Sequence, residues 1–211
     1  MNEEQINRLR IKEKLQSQLE STIEQRIDRY LEIDHQGIIG NHYFSAASSE
    51  CITLYHDGHF ISVVMVSQAV NEGIIRFIAE RNNIESSKQK SQHRLLKFFA
   101  KMFKIICQKD NDTKSIAGLI DELKGRNIIS ISCADASKRI WGSFRNDVHH
   151  MNPNVTMISF DALAKRNLQD IAIIEKEIFG ADFREGALIP HQSKYWDLDK
   201  NGTVPVYLRL E

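Results

Sequence analysis

The sequence contains few of the residues that end strands and build tight turns. Only 10 glycines and 3 prolines occur among its 211 residues. This scarcity argues against an all-β chain with many short turns and against glycine-rich loops that bind phosphate. The composition therefore favours helices.

Cysteine is scarce as well. Cys51, Cys107 and Cys133 are odd in number and far apart, and the chain has no Cys-x-x-Cys pair. These features exclude a disulfide framework and a zinc knuckle, and no cluster of cysteine, histidine and carboxylate residues has metal-ligand spacing. We expect three buried thiols and neither a metal nor another cofactor.

Long apolar runs are also missing. The longest, residues 61–66, is interrupted by Ser62 and falls far short of the ~20 residues that a membrane span requires. The acidic first residues, 1–5, lack the apolar run of a signal peptide. We therefore expect a soluble, cytoplasmic protein that makes no use of a membrane.

The chain carries no excess of either charge. Its 28 Lys and Arg residues balance 28 Asp and Glu residues. A general coat of positive charge is excluded, so any contact with nucleic acid must be made by a local patch. Hydrophobic residues at 42% and charged residues at 27% are typical of a globular domain.

Apolar residues recur at helical spacing through the first third of the chain. A long helix is predicted over residues 3–33, followed by helices over residues 45–56 and 60–81 that the Asp57-Gly58 turn separates. The β-branched residues 61–66 would also permit a strand, but the length and the continuing period favour a helix. The aliphatic residues of the first helix lie four apart: Leu15, Leu19, Ile23, Ile27 and Leu31.

Four further helices are predicted downstream, over residues 86–108, 113–124, 135–150 and 161–179. The helix over residues 86–108 has a basic face, which is typical of a solvated helix surface. Pro153 ends the helix over residues 135–150 because it disfavours a helical conformation of the residue before it.

The last residues of the chain change character. Asn201-Gly202 lies between Tyr195-Trp196-Asp197 and the β-branched and aromatic residues 204–208, a pattern that predicts a β-hairpin. We therefore predict an all-α fold with a small C-terminal β-hairpin. The expected parts are an N-terminal helix (1–40), a helical bundle (41–180) and a C-terminal tail with the hairpin (181–211).

One polar segment carries the candidate chemistry. A metal-free ribonuclease needs a group that moves protons at the ribose 2′-hydroxyl or the leaving oxygen, and a group that stabilises charge on the phosphoryl oxygens. Histidine and arginine suit these two tasks. A polar helix end of this composition is also common as a purely structural feature. The residues are Arg145, Asn146, Asp147, His149 and His150.

Arg145-Asn146, followed after three residues by His150, resembles the signature of the HEPN superfamily (higher eukaryotes and prokaryotes nucleotide-binding). In that family an arginine, often followed directly by a polar residue, precedes a histidine by four to six residues. The chain is similar to the family over about residues 41–179. The positions that resemble its opening helical hairpin are Ala46-Ala47, Cys51, Leu54-Tyr55, Gly58, Phe60, Ser62, Gln68-Ala69 and Glu72.

The resemblance implies a helical bundle that forms a homodimer, with two copies of the motif facing each other across a cleft. Many members are metal-independent endoribonucleases of toxin–antitoxin, phage-defence or CRISPR-linked systems, and others are inactive binding or scaffold modules. RNA would be the substrate, and an antitoxin or another protein of a defence complex a further partner. In a paired form of the family, a tyrosine two residues after the histidine is modified by a nucleotidyltransferase. This chain has Asn152 there, which argues against that partner.

Two imidazoles compete for the acid–base role. On an ideal helix Arg145 and His149 lie about 40° apart, whereas Arg145 and His150 lie about 140° apart. An intact single helix favours His149. A helix that frays before Pro153, or a cleft that takes side chains from two subunits, favours His150. The resemblance assigns the role to His150, and His149 is the alternative.

The remaining candidates also have structural interpretations. Asn146 either takes part in catalysis or orients the backbone, and Asp147 supports the site as an outward-facing ion-pair partner rather than as a base. Glu72 is either buried, where it would hold Arg145 in place, or exposed. Trp141 and Phe144 are expected in the core rather than as platforms on which bases stack.

Two functions from different classes follow. The first is a metal-independent endoribonuclease of a prokaryotic toxin–antitoxin or phage-defence system. The alternative is a non-catalytic HEPN-like module that binds protein, nucleotide or RNA within a defence complex. The absence of net charge favours the module, whereas the full Arg-Asn…His set favours the enzyme.

Overall fold

The computed structural model describes residues 2–33, 42–84, 115–143, 159–184 and 187–196. Within these ranges the chain is mostly helical and has one small antiparallel sheet, which confirms the predicted fold at that level. The helices are α1 (Glu3–Glu32), α2 (Ser45–His56), α3 (Phe60–Arg81), α4 (Ile116–Gly125), α5 (Ile131–Ser143) and α6 (Phe160–Ile178). The strands are β1 (Ala181–Arg184) and β2 (Ala187–Pro190), followed by a 3₁₀ helix (Ser193–Tyr195).

The first two bundle helices have the boundaries that the sequence predicts. Gly58, in the turn between α2 and α3, has a φ of 80°, a left-handed conformation that glycine adopts without a steric penalty. Residues 61–66 are helical, so the alternative prediction of a strand is wrong. The helix predicted over residues 86–108 lies outside the described residues.

Helix α3 occupies the centre of the bundle and packs against α2, α4, α5 and α6. By length and apolar composition it is the one helix in the described ranges that could cross a membrane, yet half of its most apolar stretch is buried inside the bundle. A helix that has neighbours on several sides needs apolar residues around most of its circumference, which accounts for this composition. Its inaccessible aliphatic residues include Val63, Val64, Ile74, Ile75 and Ile78.

Helices α4 and α5 begin at serine caps. The Ser115 side chain accepts a hydrogen bond from Gly118 N at 3.2 Å, so α4 starts at Ile116 rather than at the predicted residue 113. Cys133 N donates to Ser130 Oγ at 3.1 Å, and Ser130 N donates to the Glu177 carboxylate at 2.7 Å. Because these bonds stabilise its first turn, α5 begins four residues before the predicted start at residue 135.

The sheet lies earlier in the tail than the sequence predicts. Strands β1 and β2 pair with Asp182 opposite Ile189, whereas the predicted hairpin turn at Asn201-Gly202 lies outside the described residues. The assignment of Tyr195 to a strand is wrong, because this residue belongs to the 3₁₀ helix.

Tyr195 and Trp196 are instead buried against the bundle, at 0% and 5% exposure. The Tyr195 ring lies 6.0 Å from that of Phe77, and the Trp196 ring lies edge-on to Phe179 at 6.0 Å. Burial of each large aromatic side chain stabilises the fold by roughly 1.5–3 kcal/mol before its ordering entropy is subtracted. The described residues after the sheet are therefore anchored to the bundle.

The cysteines that lie in the described ranges confirm the expectation of buried thiols. Cys51 and Cys133 are free and fully buried. Burial raises the pKa of Cys51 to about 12, and the nearby charge of Glu175 contributes to the increase; burial likewise raises the pKa of Cys133. Thiols of this kind are unreactive near neutral pH. Cys107 lies outside the described residues.

Helix α1 contacts the bundle through its last turns. The Arg29 guanidinium donates to the His56 carbonyl oxygen at 2.9 Å, and Arg26 pairs with Asp57. The Tyr55 hydroxyl donates to the Glu32 carboxylate at 2.8 Å. Over the preceding turns, the apolar stripe predicted from the sequence is exposed. Its residues include Ile11, Leu15, Leu19, Ile23 and Ile27.

Tyr55→Phe should raise the pKa of Glu32. The Tyr55 hydrogen bond is the main reason why that pKa lies below its ordinary value, and Lys165 lowers it further. Because the pKa is lowered in the folded state, this tie between α1 and the bundle is present above the ordinary carboxyl pKa and is lost as the pH falls. A carbon-13 NMR titration of the Glu32 carboxyl should show a higher midpoint in the variant. A larger increase in Lys165→Ala than in Tyr55→Phe would contradict this ranking.

Candidate functional site

The description of α5 stops at Ser143, two residues before the predicted motif begins, and the catalytic candidates all lie outside the described residues. Their positions stay predictions. The structure instead describes α5, which precedes the motif in the sequence, and the neighbours that hold this helix. The undescribed candidates are Arg145, Asn146, Asp147, His149 and His150.

Small side chains bring α5 close to its neighbours. Ala134, Ala136 and Ser137 are all fully buried, and α5 packs against α3, α4 and α6. Ile140 fills the core one turn before Ser143. Close backbone approach of this kind restricts how far α5 can shift against the bundle.

Buried hydrogen bonds join the last turn of α5 to α6 and α3. The Asn167 amide nitrogen lies 3.3 Å from Ser143 Oγ on α5 and 3.0 Å from Ser67 Oγ on α3. All three residues are at most 5% exposed. A buried polar group without a hydrogen-bond partner destabilises the folded state. This set of bonds therefore favours one relative placement of the three helices.

A second set of buried bonds lies two turns earlier on α5. The Asn71 amide nitrogen donates to the Ser137 carbonyl oxygen at 3.0 Å, and the Ser137 hydroxyl donates to Asn71 Oδ1 at 2.5 Å. Both side chains are fully buried. These bonds connect α3 to the middle of α5.

An ion pair at the edge of the bundle adds a third connection between α5 and α6. The Arg139 guanidinium donates to both oxygens of Asp170, at 2.5 and 3.1 Å. This two-point contact raises the pKa of Arg139. Asp170 is nearly buried. We therefore interpret Arg139 as a structural ion-pair partner rather than as a residue that binds phosphate.

Glu72 and Trp141 are the predicted residues of this region that lie in the described ranges. Glu72 is partly buried, and its carboxylate accepts a hydrogen bond from Arg76 Nε at 2.8 Å, one turn away on α3. The structure therefore assigns it an arginine partner that the sequence analysis did not consider. Trp141 packs on the hydrophobic core, as expected, and Phe144 lies outside the described residues.

The chain matches no protein-family model, no curated protein and no solved structure. The resemblance to the HEPN superfamily therefore rests on the motif and the upstream residues quoted above.

A buried polar cluster that the sequence analysis missed lies at the other end of the bundle. The Ser48 hydroxyl on α2 donates to Glu175 on α6, and His42 Nε2 lies 3.5 Å from the second carboxylate oxygen of Glu175. The side chains of His42 and Glu175 are fully buried. The His42 ring also stacks on Phe179, with the ring centres 4.1 Å apart.

This cluster does not have the arrangement of a hydrolytic triad. A triad places the imidazole between the nucleophile and the carboxylate, whereas here Glu175 lies between Ser48 and His42. Phe44 N donates to His42 Nδ1 at 3.2 Å, which leaves Nε2 as the protonated nitrogen facing Glu175. Among the described residues, no group of three His, Cys, Asp or Glu side chains converges as metal ligands. We interpret the cluster as a structural connection between α2 and α6.

The sequence contained a signal for this cluster. Glu175 falls on the apolar face of its helix, between Ile171 and Ile178. A carboxylate at such a position is buried and needs a donor from another element. The donor, Ser48, and the imidazole that faces the carboxylate, His42, are more than 120 positions away, so the sequence alone did not identify them.

Proposed function

We propose that the protein is a metal-independent endoribonuclease of a prokaryotic toxin–antitoxin or phage-defence system. The observation that carries the proposal is the Arg145-Asn146…His150 set in the sequence, and the residues before it form α5, which buried polar bonds hold in the bundle. The mostly helical architecture supports it further. The proposal includes a HEPN-type bundle, a cytoplasmic location and a homodimer whose two motifs share a cleft.

The proposed reaction is an attack of the ribose 2′-oxygen on the adjacent phosphorus. His150 transfers protons: the 2′-hydroxyl loses its proton, and the 5′-oxygen gains one as its bond to phosphorus breaks. Arg145 stabilises the negative charge on the phosphoryl oxygens. The products are a 2′,3′-cyclic phosphate and a 5′-hydroxyl. Asn146 orients the phosphate or the backbone, and His149 is the alternative proton carrier.

The test is cleavage of mixed RNA by the purified protein in excess EDTA. Since the proposed residues act without a metal, we expect cleavage to persist in the chelator. Cyclic phosphates should be found by mass spectrometry at the new 3′ ends, and 5′ ends should accept phosphate from a kinase without prior dephosphorylation. Cleavage that stops in EDTA and returns with magnesium would overturn the proposed mechanism.

A second candidate is a non-catalytic HEPN-like module that binds protein, nucleotide or RNA within a defence complex. The balanced charge of the chain favours it, because general RNA binders usually carry a basic excess. The same assay separates the two functions. A module would leave the RNA intact in EDTA and in magnesium alike.

A further inference from the structure

We propose that α1 pairs in antiparallel orientation with α1 of a second copy of the chain, through its apolar stripe and a charged column beside that stripe. Helix α1 precedes residues 41–179, over which the chain resembles the HEPN superfamily, so the resemblance does not imply this contact. The inference does not depend on RNA cleavage. The apolar stripe consists of Ile11, Leu15, Leu19, Ile23 and Ile27.

Most of α1 is exposed. The contacts with the bundle described above begin at Arg26, and every residue from 2 to 21 is exposed within the described part of the chain. At a rise of 1.5 Å per residue, these residues form about 30 Å of helix. Helices in proteins gain most of their stability by packing an amphipathic face against a neighbour. The first turns of α1 therefore need a partner for the apolar stripe.

The apolar stripe is large enough to form the centre of an interface. Its five side chains are 41–59% exposed. They present roughly 400–500 Å² of surface, which is in the range of the largest apolar patch on a typical monomer. With the polar side chains that flank it, this face approaches the about 800 Å² that each partner contributes to a standard interface.

A column of residues along one edge of the stripe changes from basic to acidic. Each member lies one residue after a stripe residue or three before one, so all share that edge. Within the described ranges, only Arg8 of this column forms an ion pair, with Glu4. Like charges four residues apart repel each other and disfavour an isolated helix. The charged column consists of Arg8, Lys12, Gln16, Glu20, Glu24 and Asp28.

Antiparallel pairing places the basic part of this column opposite the acidic part. When a two-fold axis passes close to Leu19, the same edge of the stripe meets itself with its direction reversed. Lys12 then lies opposite the partner's Glu24, and Arg8 lies towards the partner's Asp28, so each attraction occurs twice. A parallel pair would bring the basic parts of both helices together. Flanking charges of this kind determine the orientation of paired helices.

Helix α1 provides matched controls on its opposite face. Leu9 is 46% exposed and Leu19 is 47% exposed, but Leu9 lies about 200° around the helix from Ile11. Glu13 follows Leu9 by four residues and shares that face. Leu9→Asp and Glu13→Lys therefore repeat the chemical changes of Leu19→Asp and Glu24→Lys away from the stripe.

The experiment measures self-association of the 211-residue chain by light scattering over a dilution series. Low ionic strength is used because salt screens exposed charges. We expect Lys12→Glu and Glu24→Lys each to raise the midpoint concentration of dissociation about tenfold, since each variant creates two repulsive contacts. The double variant with both changes should return to within about threefold of the wild type, because both contacts are attractive again.

Leu19→Asp should have the largest effect, about a hundredfold, because it places two carboxylates at the centre of the interface. The controls Leu9→Asp and Glu13→Lys should stay within about twofold of the wild type. Circular dichroism checks that all variants keep the same helical content.

Three results would overturn the proposal. A double variant that associates as weakly as the single variants excludes antiparallel pairing of the charged column. If Leu19→Asp dissociates at the same concentration as Leu9→Asp, or if the wild-type chain is monomeric throughout the series, α1 does not bind a second copy. The apolar stripe would then be covered by another protein or by another segment of this chain. The proposal for RNA cleavage stands or fails by its own assay in each case.

Discussion

Arg145→Ala and His150→Ala should each lower RNA cleavage by about 10²–10⁴-fold while the fold and the dimer stay intact. Loss of the proton carrier removes general acid–base catalysis, and loss of the guanidinium removes a charge-assisted contact that strengthens as negative charge develops on the phosphoryl oxygens. Single-turnover cleavage of end-labelled RNA in EDTA measures the effect. Circular dichroism and light scattering check the fold and the mass of each variant.

Two further variants sharpen this prediction. Arg126 is an exposed arginine that pairs with Glu122 one turn earlier on α4, at 2.7 Å. Surface pairs of this kind contribute little, so Arg126→Ala should cleave RNA at the wild-type rate. His149→Ala decides between the two imidazoles. Wild-type cleavage by both Arg145→Ala and His150→Ala would remove the catalytic assignment.

A mixing experiment tests whether the cleft combines side chains from two subunits. If Arg145 and His150 of one site come from different subunits, a heterodimer of Arg145→Ala and His150→Ala retains one intact site and one doubly altered site. Random mixing should then restore about a quarter of the wild-type activity, because half of the dimers are mixed and each has one of two sites intact. Activity that stays at the level of the single variants would place both residues of a site in one subunit.

Local sequence signals were sufficient for the helices of the first half of the bundle. The Asp57-Gly58 turn and the apolar periodicity on either side gave the bounds of α2 and α3 without error. The start of α5 was misplaced by four residues, because the bonds that stabilise its first turn come from Ser130 and from Glu177 on another helix. Contacts between residues far apart in sequence have no periodic signature.

The polar core was harder to predict than the apolar core. Asn71 and Asn167 interrupt apolar helix faces, but the sequence does not show that each amide meets a serine on a neighbouring helix. Such pairs depend on how the helices are rotated and on their axial register. The motif itself is a sequence prediction throughout, since Arg145 and His150 lie outside the described residues.

Glu175→Ala should cause a larger loss of stability than any other substitution considered for this chain, about 3–5 kcal/mol. The carboxylate accepts the Ser48 hydroxyl and faces His42 Nε2 at 3.5 Å, with both side chains of the His42–Glu175 pair fully buried. Removing it leaves the His42 imidazole without the carboxylate that it faces, takes away one of the two acceptors near the Ser48 hydroxyl (the other is the Phe44 carbonyl oxygen, at 3.1 Å), and creates a cavity between α2 and α6. Removing one partner of a buried charged contact is costly because the other partner stays buried without it, and the cavity adds to the loss of stability.

Urea unfolding followed by circular dichroism measures this effect. Small domains are stable by only about 5–15 kcal/mol, so the midpoint should fall steeply. Glu175→Gln keeps the volume and one acceptor oxygen, so its loss should be smaller than that of Glu175→Ala. This comparison separates the contribution of the charge from that of the acceptor oxygen and the volume.

Glu80→Ala is the matched control, because it makes the same chemical change at an exposed position on α3. Surface substitutions away from caps and networks usually change the free energy of unfolding by less than about 0.5 kcal/mol. If Glu175→Ala lowers the free energy of unfolding no more than Glu80→Ala does, the cluster of Ser48, His42 and Glu175 contributes no significant energy to the connection between α2 and α6. If Glu175→Gln is as costly as Glu175→Ala, the charge itself, rather than the acceptor oxygen and the volume, supports this end of the bundle.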